Sequence, residues 1–309
     1  MVEEIFITGL IAATVRIATP ILLAAHGENI AERSGVLNIG VEGMMIMSAF
    51  ISFSAIYFTG DYWVGLLAGM GTGMLIAAIH AFMSISLKVN QIVSGLALTI
   101  LGLALSTYLY ISFFGRTIVL VQTWETTAIP ILSEIPIIGQ ALFNQHLLTY
   151  FAIIFTIISS ILIYRTTRGL SIRSVGENPL AADTAGVKVQ RTRYFTTVFG
   201  GLMAGVAGVC LTSVNFNSFF SGMTAGRGWI AIAVVIFARW RPSWVLVGAM
   251  LFGFLDAFQL RLQAMGFPIP KQLILMTPYL LTLIALVIVS RRAYAPAALG
   301  TPYVKGEKG

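Results

Sequence analysis

The 309-residue chain is 57% hydrophobic and only 10% charged, against roughly 25% charged in soluble domains, which excludes a water-soluble globular protein. Its net charge of +7 is gathered in a few short basic segments without interleaved aromatics, so it does not point to nucleic acid. A single cysteine, Cys210, set in an apolar run, excludes a disulfide framework within the chain and a cysteine metal cluster.

The chain opens with Val2-Glu3-Glu4, acidic where a secretory signal is basic. The apolar run that follows, 5–25, is long enough to cross roughly 30 Å of hydrocarbon. Runs of the same kind cover 39–58, 63–87, 91–114, 147–164, 194–214, 243–262 and 272–290. The run 229–238 is too short to cross alone and crosses only if 225–228 extend it into a buried cavity. The expected fold is all-α, a polytopic transmembrane helical protein of about nine spans in a single domain over 1–309.

Basic residues orient the spans, because cytoplasmic loops carry the excess of Lys and Arg. The segment 165–193 holds Arg165, Arg168, Arg173, Lys188, Arg191 and Arg193 against Glu177 and Asp183, which places it in the cytoplasm. Arg239 and Arg241 mark a second inside turn, and Arg291, Arg292, Lys305 and Lys308 put the tail 291–309 inside. The loop 115–146 carries Glu125 and Glu134 against Arg116 and reads as outside. Prolines interrupt its apolar pieces 129–132 and 135–138, so it is expected to dock on the outer face instead of crossing. The N-terminus then lies outside.

Two breaks match each other. After the first span comes the polar stretch 26–35, then a helix from about Asn38 that opens with Gly40 and Gly43. After the sixth comes 215–222, then a helix near Gly226 and Gly228. Equivalent helices are five spans apart, an odd number. The halves, about 5–114 and 194–290, would therefore sit inverted, and inverted repeats with broken helices mark a transporter's substrate path. Candidate path residues are Asn38, Glu42, Asn215, Phe216, Asn217, Phe219 and Phe220. Aromatic rings and amides suit a nucleoside, by stacking on the base and bonding its edges; an interfacial aromatic belt is the competing reading. Trp63, Trp124, Trp229, Trp240 and Trp244 fall near span ends and fit that belt. Glu32, Arg33 and Glu42 are either functional ionisable groups within the membrane or a solvated structural pair. Asp256 and Arg261 either pair with each other or face a polar interior.

The most specific signal is 175–187. Asn178-Pro179 can cap and open a short helix. Ala181, Ala182 and Ala185 give it a small-residue face, and Gly186 can end it. Such a helix suits a groove on another protein; the alternative is an ordinary amphipathic loop helix.

Gly176-Glu177-Asn178-Pro179 followed by Ala181-Ala182 and Gly186 resembles the coupling loop of ABC importer permeases. The stretches 18–25 and 32–45, Gly226-Arg227-Gly228-Trp229 with 230–233, and the tail Pro296-Ala297-Ala298-Leu299-Gly300 resemble the nucleoside and simple-sugar branch, within the ribose and branched-chain amino acid permease superfamily. His26 departs from that pattern, where a more apolar residue is expected. The resemblance spans essentially the whole chain and implies a permease subunit in a prokaryotic plasma membrane. Gly176, Glu177, Asn178, Pro179, Ala181, Ala182 and Gly186 would be its ATPase-coupling residues. It also implies a second, homologous permease in a heterodimer, a substrate-binding lipoprotein, and a cytoplasmic ATPase. That ATPase would use ATP and Mg²⁺, with no cofactor bound by this chain. No Walker loop and no catalytic constellation appear, and His26, His80 and His146 share no metal spacing with carboxylates. A stand-alone ion-coupled transporter would share the broken helices but not the capped loop, and an intramembrane enzyme would need a catalytic cluster.

Overall fold

The computed structural model describes residues 2–136, 138–265, 276, 280, 287 and 295–305. The expected span 272–290, apart from those three isolated positions, and the basic residues Arg291, Arg292 and Lys308 lie outside the described residues. Within them the chain is helical: α1 Val2–Arg33, α2 Val41–Thr59, α3 Tyr62–Ala81, α4 Gln91–Phe114, α5 Ile138–Leu142, α6 Leu147–Arg165, α7 Thr167–Glu177, α8 Pro179–Thr184, α9 Val189–Cys210, α10 Arg227–Phe237 and α11 Pro242–Ala264. π-helical turns extend α3 through Ser86 and α9 through Phe216. Seven of the described helices are long and apolar enough to cross a membrane. α10, with 11 residues, is about 16 Å long and reaches only halfway.

Local chemistry sets the helix ends. Asp61 accepts from the Trp63 amide at 2.7 Å to open α3. Asn90 accepts from Ile92 and Val93 at 3.0 and 3.2 Å to open α4. These are N-cap contacts that satisfy donors the helix itself cannot pair.

α1 runs the full depth of the bundle. Near one end, Gln145 Nε2 reaches the Ala12 carbonyl; at the other, Gly176 lies against the Arg33 carbonyl. From residue 12 to 33 the helix rises about 32 Å. The first end carries the long loop, folded as an antiparallel pair of β1 Thr126–Ala128 with β2 Asn144–His146, in register Thr127 opposite Gln145. This loop docks on the protein itself: α5 packs on α1, and the backbone amides of Val121 and Trp124 donate to Asn217 O at 2.9 Å and to Ser213 O at 3.0 Å. The second end carries α7 and α8.

The bundle is closed by backbone proximity. In lipid, helix association gains little from the hydrophobic effect, so small residues that let backbones touch become the adhesive. α3 and α9 meet in this way. A Cβ on Gly73 would run into the Gly201 carbonyl and lie 2.9 Å from Gly205 Cα. Gly71, two residues earlier, has nothing within 4 Å of the same position. Gly73→Leu should therefore lower the thermal midpoint of the purified protein by the equivalent of at least about 1–3 kcal/mol, whereas Gly71→Leu should leave it within about 0.5 kcal/mol. A thermal-unfolding assay in detergent compares the two.

Candidate functional site

The two breaks lie at opposite ends of the bundle and meet in its interior. The first, after Arg33, sits beside α7 and the start of α9. The second, around Asn217, pairs with 120–121 at the sheet end. From there the chain descends to Gly226 and starts α10, which continues toward the other end so that Trp240 reaches Glu32 and Arg33.

Where α2 and α10 begin, one carboxylate joins them. Glu42 is buried, with 4% exposure. Its Oε1 accepts from the Gly226 amide at 2.9 Å and its Oε2 from the Gly228 amide at 2.7 Å. Both are donors at the start of α10 that no intrahelical partner satisfies. Glu42 also lies in the first turn of α2, so the negative charge faces the positive ends of two helix dipoles. A Cβ on Gly228 would lie 2.6 Å from the Glu42 amide; only glycine lets the helices approach this closely.

Asn38 shapes the first break. Its side-chain oxygen accepts from Gly40 N at 3.0 Å, and its own amide donates to Glu28 Oε1 at 2.8 Å. Glu32 accepts from Trp240 Nε1. Glu28 Oε2 and Glu32 Oε1 are buried without a hydrogen-bond partner. Arg33 does not pair with Glu32. Its Nε donates to the Trp240 carbonyl and its Nη2 to Tyr164 Oη, each at 3.0 Å. His26 meets Thr156 Oγ1 at 2.8 Å, so the departure from an apolar residue is a polar contact between α1 and α6.

Several expectations change. Phe219 is not a lining residue. It is fully buried in an aromatic cluster, with ring centroids 5.4 Å from Phe50 and 5.2 Å from Tyr110. Phe216 and Phe220 meet edge to face at 5.2 Å; Phe220 is exposed and Phe216 half-buried. The Asn217 side chain is exposed, while Asn215 Oδ1 is buried without a partner. Trp124 and Trp240 are buried, unlike Trp63, Trp229 and Trp244. The belt reading therefore fits three of the five tryptophans. Asp256 pairs with Arg227 at 3.7 Å, and Arg261 donates to the Phe6 carbonyl. Five residues on a helix turn the side chain about 140° away, so Asp256 and Arg261 cannot face each other.

At the other end, Asn178 Oδ1 accepts from Ala181 N at 3.0 Å and opens α8. Gly186, at φ +86°, closes it. Val187 N bonds Ala182 O and Gly186 N bonds Asp183 O, each at 2.9 Å, the crossed pair of a Schellman ending. The alanine face is split. Ala181 and Ala185 are exposed, but Ala182 is 3% exposed and packs with Val175, Val189 and Tyr303. Successive helical residues point about 100° apart, so Ala182 turns inward while its neighbour Ala181 does not. Arg193, counted above among the basic loop residues, is 1% exposed.

A helical bundle of many membrane-length spans, with a half-length helix meeting a second interrupted one inside it, defines a polytopic membrane transport protein. Residues 10–289 match the permease component of branched-chain amino acid transport systems, and the chain belongs to that family. It is 45% identical to a putative glucose ABC transporter permease of Haloferax volcanii, over 84% of this chain and 80% of the relative. It is 37% identical to the guanosine ABC transporter permease NupQ of Bacillus subtilis over 97% of both chains. It is 32% identical to the nucleoside ABC transporter permease NupC of Lactococcus lactis, over 94% of this chain and 95% of that one. No solved structure matches. The resemblance read from the motifs therefore holds: the chain falls in the branch of ABC permeases that contains these nucleoside and sugar relatives, which are transporter subunits and not enzymes.

Glu42→Ala would strand the Gly226 and Gly228 amides, at about 1–3 kcal/mol for each buried unsatisfied donor. Glu42→Gln keeps one acceptor oxygen and should lose about half as much. Thermal unfolding of the purified variants orders them; equal midpoints for all three proteins would mean that both amides reach water.

Proposed function

We propose that this chain is the transmembrane permease of an ATP-driven importer for nucleosides. The observation that carries the reading is the match along 97% of both chains to a guanosine ABC permease. The amides and rings of Asn215, Phe216, Asn217 and Phe220 at the second break add to it, since base stacking contributes roughly 1–3 kcal/mol per base. A simple sugar is the second reading, favoured by the 45% identity to the putative glucose permease.

The importer has about nine spans when α10 and 272–290 are counted with the seven long helices. Its halves form an inverted repeat; the placement of the two breaks at opposite ends of α1 supports this. The N-terminus and the sheet end face outward. The α7–α8 end and the tail face the cytoplasm of a prokaryotic cell, as the basic residues of 165–193 favour. A cytoplasmic ATPase, using ATP and Mg²⁺, docks on α8 through Ala181 and Ala185, with Gly176, Glu177, Asn178, Pro179, Ala182 and Gly186 fixing its shape. A second permease completes the path as a heterodimer, and a lipoprotein delivers the substrate. Asn38 and Glu42 hold the interrupted helices that border the path.

Two measurements test this. Ala181→Trp adds bulk on the exposed face of α8 and should reduce co-purification with the ATPase at least tenfold, without lowering the thermal midpoint of the permease. Normal co-purification and normal substrate-stimulated hydrolysis would move the docking site elsewhere. A cysteine at Thr184, in a Cys210→Ala background, should resist impermeant thiol reagents in intact cells and react in inverted vesicles. The reverse pattern would invert the topology.

A further inference from the structure

The tail is the part of the chain whose contacts the importer reading leaves unused. Residues 295–305 return to the bundle and close over the α7–α8 end. Ala298 N donates to Gly176 O at 2.8 Å, and Gly300 N donates to Gly35 O at 3.1 Å. Ala297 N lies 3.5 Å from Glu177 Oε2. Tyr303, 8% exposed, packs on Val175, Ala182 and Val189. The tail thus touches the last turn of α7, the inward side of α8, and the turn after α1.

Arg193 sits under that junction. Among the described residues it is the bulkiest fully buried side chain. A buried guanidinium normally needs a carboxylate or a full set of acceptors. Here two acceptors are backbone carbonyls from distant segments, Nε donating to Ser34 O at 3.1 Å and Nη1 to Thr301 O at 2.8 Å, while Nη2 is buried without a hydrogen-bond partner. Gly35, at φ +91°, is the residue that leaves room, since a Cβ there would lie 2.7 Å from Arg193 Nη2 and 3.0 Å from Ala298 O. Ser34 Oγ and Thr196 Oγ1, 2.7 Å apart, close the same junction from α9.

Resting on the importer reading, we propose that 296–303 is a strap, and Arg193 its positioning residue, that makes α7–α8 and the turn 33–38 move as one body. A backbone fastened to a neighbour by paired amide and guanidinium bonds cannot shift without carrying it, and coupling between sites needs such a continuous physical connection. The turn leads within a few residues to Asn38 and Glu42, and so to the start of α10. Displacement of α8 by a partner is thereby delivered to the two interrupted helices. Without the strap, α8 can be pushed while the break stays still.

Amide hydrogen exchange on the full chain in nanodiscs reads the link directly. Tyr303→Ala removes packing but no strap hydrogen bond, whereas Arg193→Met removes both carbonyl contacts. Each should raise exchange at least tenfold in 34–42, far from residue 303 in sequence, and Tyr303→Phe should match the wild type. In the assembled transporter, both loss variants should keep ATP hydrolysis within twofold while substrate moved per ATP falls at least fivefold. Unchanged exchange in 34–42 for Tyr303→Ala overturns the strap, as does a parallel fall of hydrolysis and uptake with their ratio preserved. If Arg193→Met does not fold, Tyr303→Ala still decides. A wild-type chain that moves neither nucleoside nor sugar with an ATPase would end the importer reading, and the exchange result would still settle the strap.

Discussion

The starts of α2 and α10 point at each other, and each carries a partial positive charge of roughly half a unit. Left alone they would repel, and the first amides of α10 would be unpaired in a region with little water. Glu42 resolves both problems with one side chain, accepting from Gly226 and Gly228 at once. The rest follows from that contact. Gly228 must lack a side chain for α10 to come near enough. Asn38 must turn the chain so that Glu42 is presented at that depth. α10 can then be only half a membrane long, ending where Trp240 meets Glu32.

The carboxylate is also removable in a way that packed side chains are not. The α3–α9 contact is backbone against backbone at Gly73 and Gly201, and no small adjustment relieves a clash there. The Glu42 contact is two hydrogen bonds on a rotatable side chain. The structure therefore combines a fixed pair, α3 with α9, and a breakable junction, α2 with α10. A transporter that changes shape needs both kinds of contact.

Much of this was legible from residue order because lipid imposes simple rules. Length and apolarity located the seven long helices, and Asn178-Pro179 with Gly186 bounded α8 within a residue. Glu42 was visible as a charge where a span should be unbroken, but the first break was placed too early: the polar stretch 26–33, read as a break, is the last two turns of α1, and the chain leaves the helix only after Arg33. What could not be read was direction. Ala182 faces inward and Ala181 outward, although both belong to the same alanine run; the inward side is covered by Val175, Val189 and Tyr303, the last more than a hundred positions later. Phe219 looked like a ring for stacking and proved to be core, because Phe50 and Tyr110 arrive from other helices. Arg193 counted as a surface charge, since nothing local shows that Ser34 and Thr301 supply its acceptors. Glu28 and Trp240 were missed for the same reason.

The order in which the junction is made differs from the order in which it is used. α8 and α9 emerge during synthesis well before residues 296–303. At about 5–20 residues per second, roughly ten seconds separate Ala182 from Tyr303. Through that interval the side of α8 that Tyr303 covers is open, and the guanidinium of Arg193 lacks the carbonyl of Thr301. The α7–α8 end thus reaches its finished packing only after the tail has been made. A chain lacking 301–303 would leave that side of α8 and the Arg193 guanidinium uncovered together.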